Sequence, residues 1–222
     1  MESPLSAARR VVIKIGSALL VDEQGQTARA TLETLLELGA LPIVAEDLGF
    51  ITKDVHALRD GLGLPGMKIL QFGFGGDGGH EFLPHTYPVN TVVYTGTHDN
   101  DTARGWWDHA PEALRHCAGT HPARPAPSVH CAMIRSAMNS VAALAVFPLQ
   151  DVLGLGSEHR MNTPGTLGGS NWTWRFHWDD VGSEPGRVLG LLAAASGRGP
   201  FAPLGHPAPP ACLDEDYLRD DA

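Results

Sequence analysis

The 222 residues carry 25 acidic side chains against 16 Lys plus Arg, a formal net charge of −9. That balance excludes nucleic acid as a partner, because no basic surface is available to displace phosphate counterions. No apolar run reaches the length of a membrane-spanning helix, and the length allows one good-sized core, or one domain with tails.

In chain order, residues 9–20 (RRVVIKIGSALL) read as a strand followed by a Gly-Ser turn. Lys14 and Gly16 interrupt the apolar run early, which argues against a signal peptide. Residues 27–38 form an amphipathic helix in this reading: Ala28, Leu32, Leu35 and Leu36 share one face, Glu33 and Glu37 face away, and Gly39 stops it. A strand over 41–45 runs into Glu46 and Asp47. Thr52 is positioned to cap a helix bearing Val55, Leu58 and Leu62. Pro65-Gly66 turns the chain into a strand over 67–72. The glycine-rich loop 73–79 (GFGGDGG) lacks the Gly-Lys-Ser/Thr ending of a phosphate-binding loop. Residues 82–87 read as a lid segment.

The organising stretch is 90–102, NTVVYTGTHDNDT. A β-branched apolar run breaks at Gly96 and delivers His98, Asp99, Asn100 and Asp101. A buried strand that presents catalytic groups at its C-terminal end has this pattern. A Pro- and His-bearing connection is expected over 110–129, then a helix over 131–143 with Met133, Ile134, Ala137, Met138 and Val141 at core spacing, and a strand over 145–149. Residues 187–195 read as a closing helix. From Ser196 the chain turns Pro- and Gly-rich and ends acidic, as a poorly ordered tail. The fold class is therefore α/β, and the element order suits the C-terminal half of a (β/α)8 TIM-type barrel, truncated.

Two apolar strands, each ending in carboxylates, suggest one cleft with two acids, and the simplest chemistry for that pair is work on a glycosidic bond. Cys117, Cys131 and Cys212 are odd in number and widely scattered, with neither metal nor disulfide spacing. They read as buried small hydrophobes or idle thiols in a reducing cytoplasm. The 11 His show no ligand spacing, so neither a metal site nor a cofactor is expected.

Four segments come in the order of a known family: AEDLGFITKDVHALRDGLGLPGMKILQFGF, VVYTGTHDNDTARGWW, FPLQDVLGLGSEHRMNTPG and NWTWRF. They resemble the 4-α-glucanotransferases (amylomaltases), over the C-terminal part of that enzyme. The resemblance implies transfer of α-1,4-glucan segments between maltooligosaccharides with retention. It places the acid/base at Glu46 and the carboxylate that supports the oxocarbenium-like transition state at Asp99. His98, Asn162 and Asp77 take substrate-binding positions. Asp77 is a shifted counterpart of an acidic residue that relatives carry directly after the QFxF stretch, where this chain has Gly75. Asp47, Asn100 and Asp101 would hold these groups in place. Trp172 and Trp174 either stack on sugars or serve as core residues.

The family's nucleophilic aspartate lies in an Arg-Ile-Asp-His-type segment, and no such segment occurs in these residues. Without it a covalent glycosyl-enzyme cannot form, so a chain crippled in catalysis is expected, or a remnant that only binds maltooligosaccharide. A half-barrel would also leave strand edges open to self-association. Residues 1–26 stand apart, and within them residues 9–20 resemble the N-terminus of glutamate 5-kinase, an amino-acid kinase, which would put Lys14, Gly16 and Ser17 at nucleotide phosphates. The plainer reading is a β-strand with an exposed Lys. The expected organisation is thus 1–26 unrelated segment, 27–195 partial barrel and 196–222 tail.

Overall fold

The computed structural model describes residues 43–49, 51–120 and 128–199. The elements below all belong to Val44–Ala222, one of the two compact units into which the chain divides. The expectations for residues 9–20 and 27–38, for Lys14, Gly16 and Ser17, for Cys212 and for most of the tail lie outside the described residues.

Helix α1 (Lys53–Gly61) starts at Thr52, whose hydroxyl makes no capping bond. Strand β1 (Gly66–Ile69) follows, then a 3-10 stretch, Leu70–Gly75. Strand β2 (Thr91–Tyr94) leads to α2 (Ala103–His109) and α3 (Glu112–Thr120). Helix α4 (Val129–Met138) precedes β3 (Leu144–Val146), which runs into the short α5 (Leu149–Val152). The one-turn α6 (Trp178–Val181) and α7 (Glu184–Ala195) complete the set. The strands form one parallel sheet in the order β1-β2-β3, with Met67, Val92 and Leu144 in one row and Ile69, Tyr94 and Val146 in another. Parallel neighbours need a crossover between them, and the helical segments supply it. No helix among the described residues is long and apolar enough to cross a membrane.

Side chains alternate across a strand, so the sheet has two distinct faces. Val93 and Ala145 point toward α4, where they pack with Tyr87, Ala137, Ala142 and Phe147. Lys68 shares that row; its Nζ donates to Glu81 at 2.6 Å and lies over the Phe82 ring. A second cluster joins Leu70, Phe74, Leu83, Ala103, Ala118 and Met133 beneath Trp106 and Trp107. On the opposite face Ile69 and Val92 are buried, whereas Leu144 and Val146 of β3 are 50 % and 38 % exposed. A parallel sheet is ordinarily covered on both sides, and here one face is open toward β3.

Several expected elements shift. No strand forms over 43–45. The Met67 N–H, which could have paired with such a strand, donates to the Asp47 carboxylate at 2.7 Å, and among the described residues only Ala45 N–H to Pro65 C=O joins the two segments through backbone. The connection expected over 110–129 contains α3, because Pro111 starts a helix: its carbonyl accepts from the amides of Leu114 and Arg115. Helix α4 stops at Met138, five residues short of expectation. The Ser140 hydroxyl takes the Ala137 carbonyl at 2.7 Å and leaves Val141 exposed. Cys131 is disulfide-bonded, not an idle thiol. Scattered spacing in sequence does not decide which sulfurs meet, so the cysteines carry no argument for a reducing compartment.

Candidate active site

Strand β2 ends at Tyr94, and the chain then folds tightly. Asn100 Oδ1 accepts from the Thr97 amide at 2.8 Å and the Thr97 hydroxyl at 2.9 Å, and the Asn100 amide returns to the Thr97 carbonyl. This Asx-type turn fixes His98 and Asp99 at its apex, both exposed. The turn is fastened below by Gln71, whose side-chain amide donates to the Asp101 carbonyl at 2.9 Å.

A second segment comes to the same place. Arg160 Nη2 donates to the Asp99 carbonyl at 2.6 Å, and its Nε donates to the Asn162 carbonyl at 2.7 Å. Asn162 Nδ2 donates to Asp99 Oδ1, also at 2.6 Å. His98 Nε2 lies 3.4 Å from the same oxygen, and its ring is 5.1 Å from that of Trp172. His98, Asp99 and Asn162, all expected at the site, are thus in one contact group. The residues between Asp99 and Asn162 number in the sixties, so the meeting is a product of the fold.

Glu46 is exposed beside β2. Its charge is felt at Tyr94, whose hydroxyl is pushed above the ordinary tyrosine range first by burial and then by Glu46. Tyr94 ends β2, two residues before the turn that carries His98 and Asp99, and the bonds of the Asp99 group do not include Glu46. Asp47, next to it, is buried in an ion pair with Arg59. Asp101 accepts from the Ser157 hydroxyl at 2.7 Å and from the Thr102 amide at 2.8 Å. Thr102 in turn caps α2 through the Gly105 amide. Asp77 accepts from the Gly79 amide at 2.9 Å within its own exposed turn, and the bonds of the Asp99 group do not include it.

Sequence reading passed over Asp151, which is 1 % exposed. It accepts from the Thr95 hydroxyl at 2.5 Å and the Ala103 amide at 2.7 Å, and so locks the end of β2 to the start of α2. Burial raises its pKa above the usual carboxylate range, against the lowering effect of those two bonds. The signal was present: a lone acid closely following an apolar strand, in FPLQDVLG.

Comparison with known proteins decides the lineage. The family model described as 4-alpha-glucanotransferase (glycoside hydrolase family 77) matches residues 16–180. The chain belongs to the 4-alpha-glucanotransferase family. A Synechocystis sp. 4-alpha-glucanotransferase is 50 % identical over 160 residues, which are 71 % of this chain and 32 % of that protein. The Thermus thermophilus 4-alpha-glucanotransferase is 45 % identical over 188 residues, 79 % of this chain and 37 % of its own. Among solved structures, the amylomaltase from Streptococcus agalactiae in complex with acarbose superposes with a TM-score of 0.73 at 32 % identity, over 78 % of this chain and 36 % of that one. The chain spans about a third of the length of these 4-alpha-glucanotransferases.

Proposed function

We propose that this chain carries the acid/base portion of a retaining 4-α-glucanotransferase site and binds α-1,4-linked maltooligosaccharides there. In this reading Glu46 protonates the leaving glycosidic oxygen and later deprotonates the acceptor hydroxyl. Asp99 supports the positive charge that develops at the anomeric carbon. His98 and Asn162 hold sugar hydroxyls, and Asn100 and Asp101 keep the turn in shape. The carrying observation is the clasp of Asn162 on the Asp99 carboxylate with His98 at its flank. The bound acarbose of the Streptococcus agalactiae relative supports an α-glucan ligand.

The same reading takes β1, β2 and β3 as consecutive strands of a (β/α)8 barrel, with residues 27–195 as the barrel portion. Parallel pairing in sequence order supports it, as do catalytic candidates at a strand's C-terminal end. The open face at Leu144 and Val146 is then where further barrel strands or a second chain would pack. The nucleophilic carboxylate would come from a segment these residues do not contain.

The test is maltotriose disproportionation by the 222-residue chain, beside Glu46→Gln and an acarbose titration. The expected result is binding of acarbose without glucose release. Glucose release that Glu46→Gln abolishes would show that another carboxylate serves as nucleophile. A folded sample that binds no acarbose would remove the proposed function.

A further inference from the structure

Trp172 is the only non-glycine among the described residues with a positive φ, +63°. A left-handed backbone is costly for a bulky side chain, and it persists only where the surroundings impose it. Here they do. The Trp172 amide donates to the Met161 carbonyl at 2.8 Å. Next to it, Asn171 Oδ1 accepts from the Thr163 amide at 3.0 Å, and Asn171 Nδ2 donates to the Thr166 hydroxyl at 2.9 Å. All these bonds serve to present an indole that remains 55 % exposed. Backbone strain of this kind clusters at ligand-binding and active sites.

The ring's surroundings give it a use. It tilts by 43° against His98, 5.1 Å away, and His98 adjoins the carboxylate oxygen that Asn162 clasps. Trp174, two residues on, differs in each respect. Its indole N–H donates to His159 at 3.0 Å, its ring stacks on Phe176, and it is half-buried. A pyranose ring has apolar C–H faces and a polar rim of hydroxyls. An exposed aromatic face next to convergent polar groups is complementary to both.

We propose that Trp172 is a stacking platform for a glucosyl unit adjoining the one held at Asp99 and Asn162, with His98 filling the corner between them. The inference rests on the glucan-binding reading above.

Calorimetric titration of the 222-residue chain with acarbose tests it, using Trp172→Gly and Trp172→Phe and the thermal midpoint of each. Glycine accepts the positive φ, so Trp172→Gly relieves the strain while removing the ring. The expected result is an affinity about tenfold weaker, with a thermal midpoint unchanged or higher, and Trp172→Phe within about threefold of the parent. If Trp172→Gly binds as tightly as the parent, the platform is wrong and the glucan-binding reading stands. If binding and thermal stability fall together in Trp172→Gly and phenylalanine restores neither, the residue is structural and the inference is overturned. If the folded parent binds no acarbose, both fall.

Discussion

Asp151 accepts the Thr95 hydroxyl at 2.5 Å, across 56 residues of sequence, and the Ala103 amide at 2.7 Å. One buried carboxylate thus joins the segments that follow β2 and β3 and orients the start of α2. Removing it with Asp151→Ala orphans two buried donors. Each costs about 1–3 kcal/mol, so urea unfolding should show a loss of roughly 2–6 kcal/mol. The pH dependence has a definite sign. Burial raises the folded pKa of Asp151 above its unfolded value, so its contribution is greatest below the ordinary carboxylate range and is lost as pH rises through the folded pKa. Relative to Asp151→Asn, the parent should therefore weaken as pH rises across that window. A constant difference between the two would contradict it.

Asp47 and Arg59 form a largely buried ion pair, and Asp47 also takes the Met67 amide. Asp47→Ala leaves Arg59 its two bonds to Asp60 but orphans the Met67 amide, at a cost of about 1–3 kcal/mol by denaturant unfolding. Gly66 supplies an independent check, since a Cβ there would sit 2.5 Å from Asp47 Oδ2 and 2.6 Å from Arg59 Nη1. Both atoms are the ends of flexible side chains that can give way, so Gly66→Ala should destabilise less than Asp47→Ala, and less still where Asp47 is already alanine.

His130 lines a cavity of about 420 Å3 with Ile134, Val152, Val188 and Leu192. Its ring packs on Gly154, and Ser128 Oγ lies 3.3 Å from its Nε2. Burial lowers its pKa, and the charge of Arg104 lowers it further. A folded pKa below the unfolded value means that stability is intact above the ordinary histidine range and lost as pH falls through the folded pKa. The parent should lose stability relative to His130→Asn between about pH 7 and 5. Equal slopes for the two proteins would show that the ring does not titrate differently on folding.

Much of β2 and its turn was legible in the sequence, because an apolar β-branched run ending in Gly96 and a cluster of Asx residues has few other meanings. Glu46, His98 and Asp99 stand out locally, as polar groups at the ends of apolar stretches, whereas Asn162 is singled out only by the order of whole segments. The Asp151 network was not legible, since its partners lie 48 and 56 residues away and local periodicity carries no trace of them. The positive φ of Trp172 was equally hidden, because no glycine marks it. The proline-bearing stretch 110–129 reads as a connection, yet Pro111 opens a helix within it.

Asn162 Nδ2 donates to Asp99 Oδ1 at 2.6 Å, and the substitution Asn162→Asp turns that donor into a like charge. Two carboxylates at this separation cannot both ionise without penalty, so one of them takes up a proton at higher pH than usual. At pH 7 the variant should lose the clasp, and its acarbose affinity should fall about tenfold. At pH 5 a shared proton restores one hydrogen bond, and part of the loss relative to the parent should return. Asn162→Ala removes the donor without adding charge, so its deficit should be the same at both pH values. Titration of the three proteins at both pH values reads this directly. Parent-like affinity of Asn162→Asp at pH 7 would show that the clasp on Asp99 plays no part in holding the sugar.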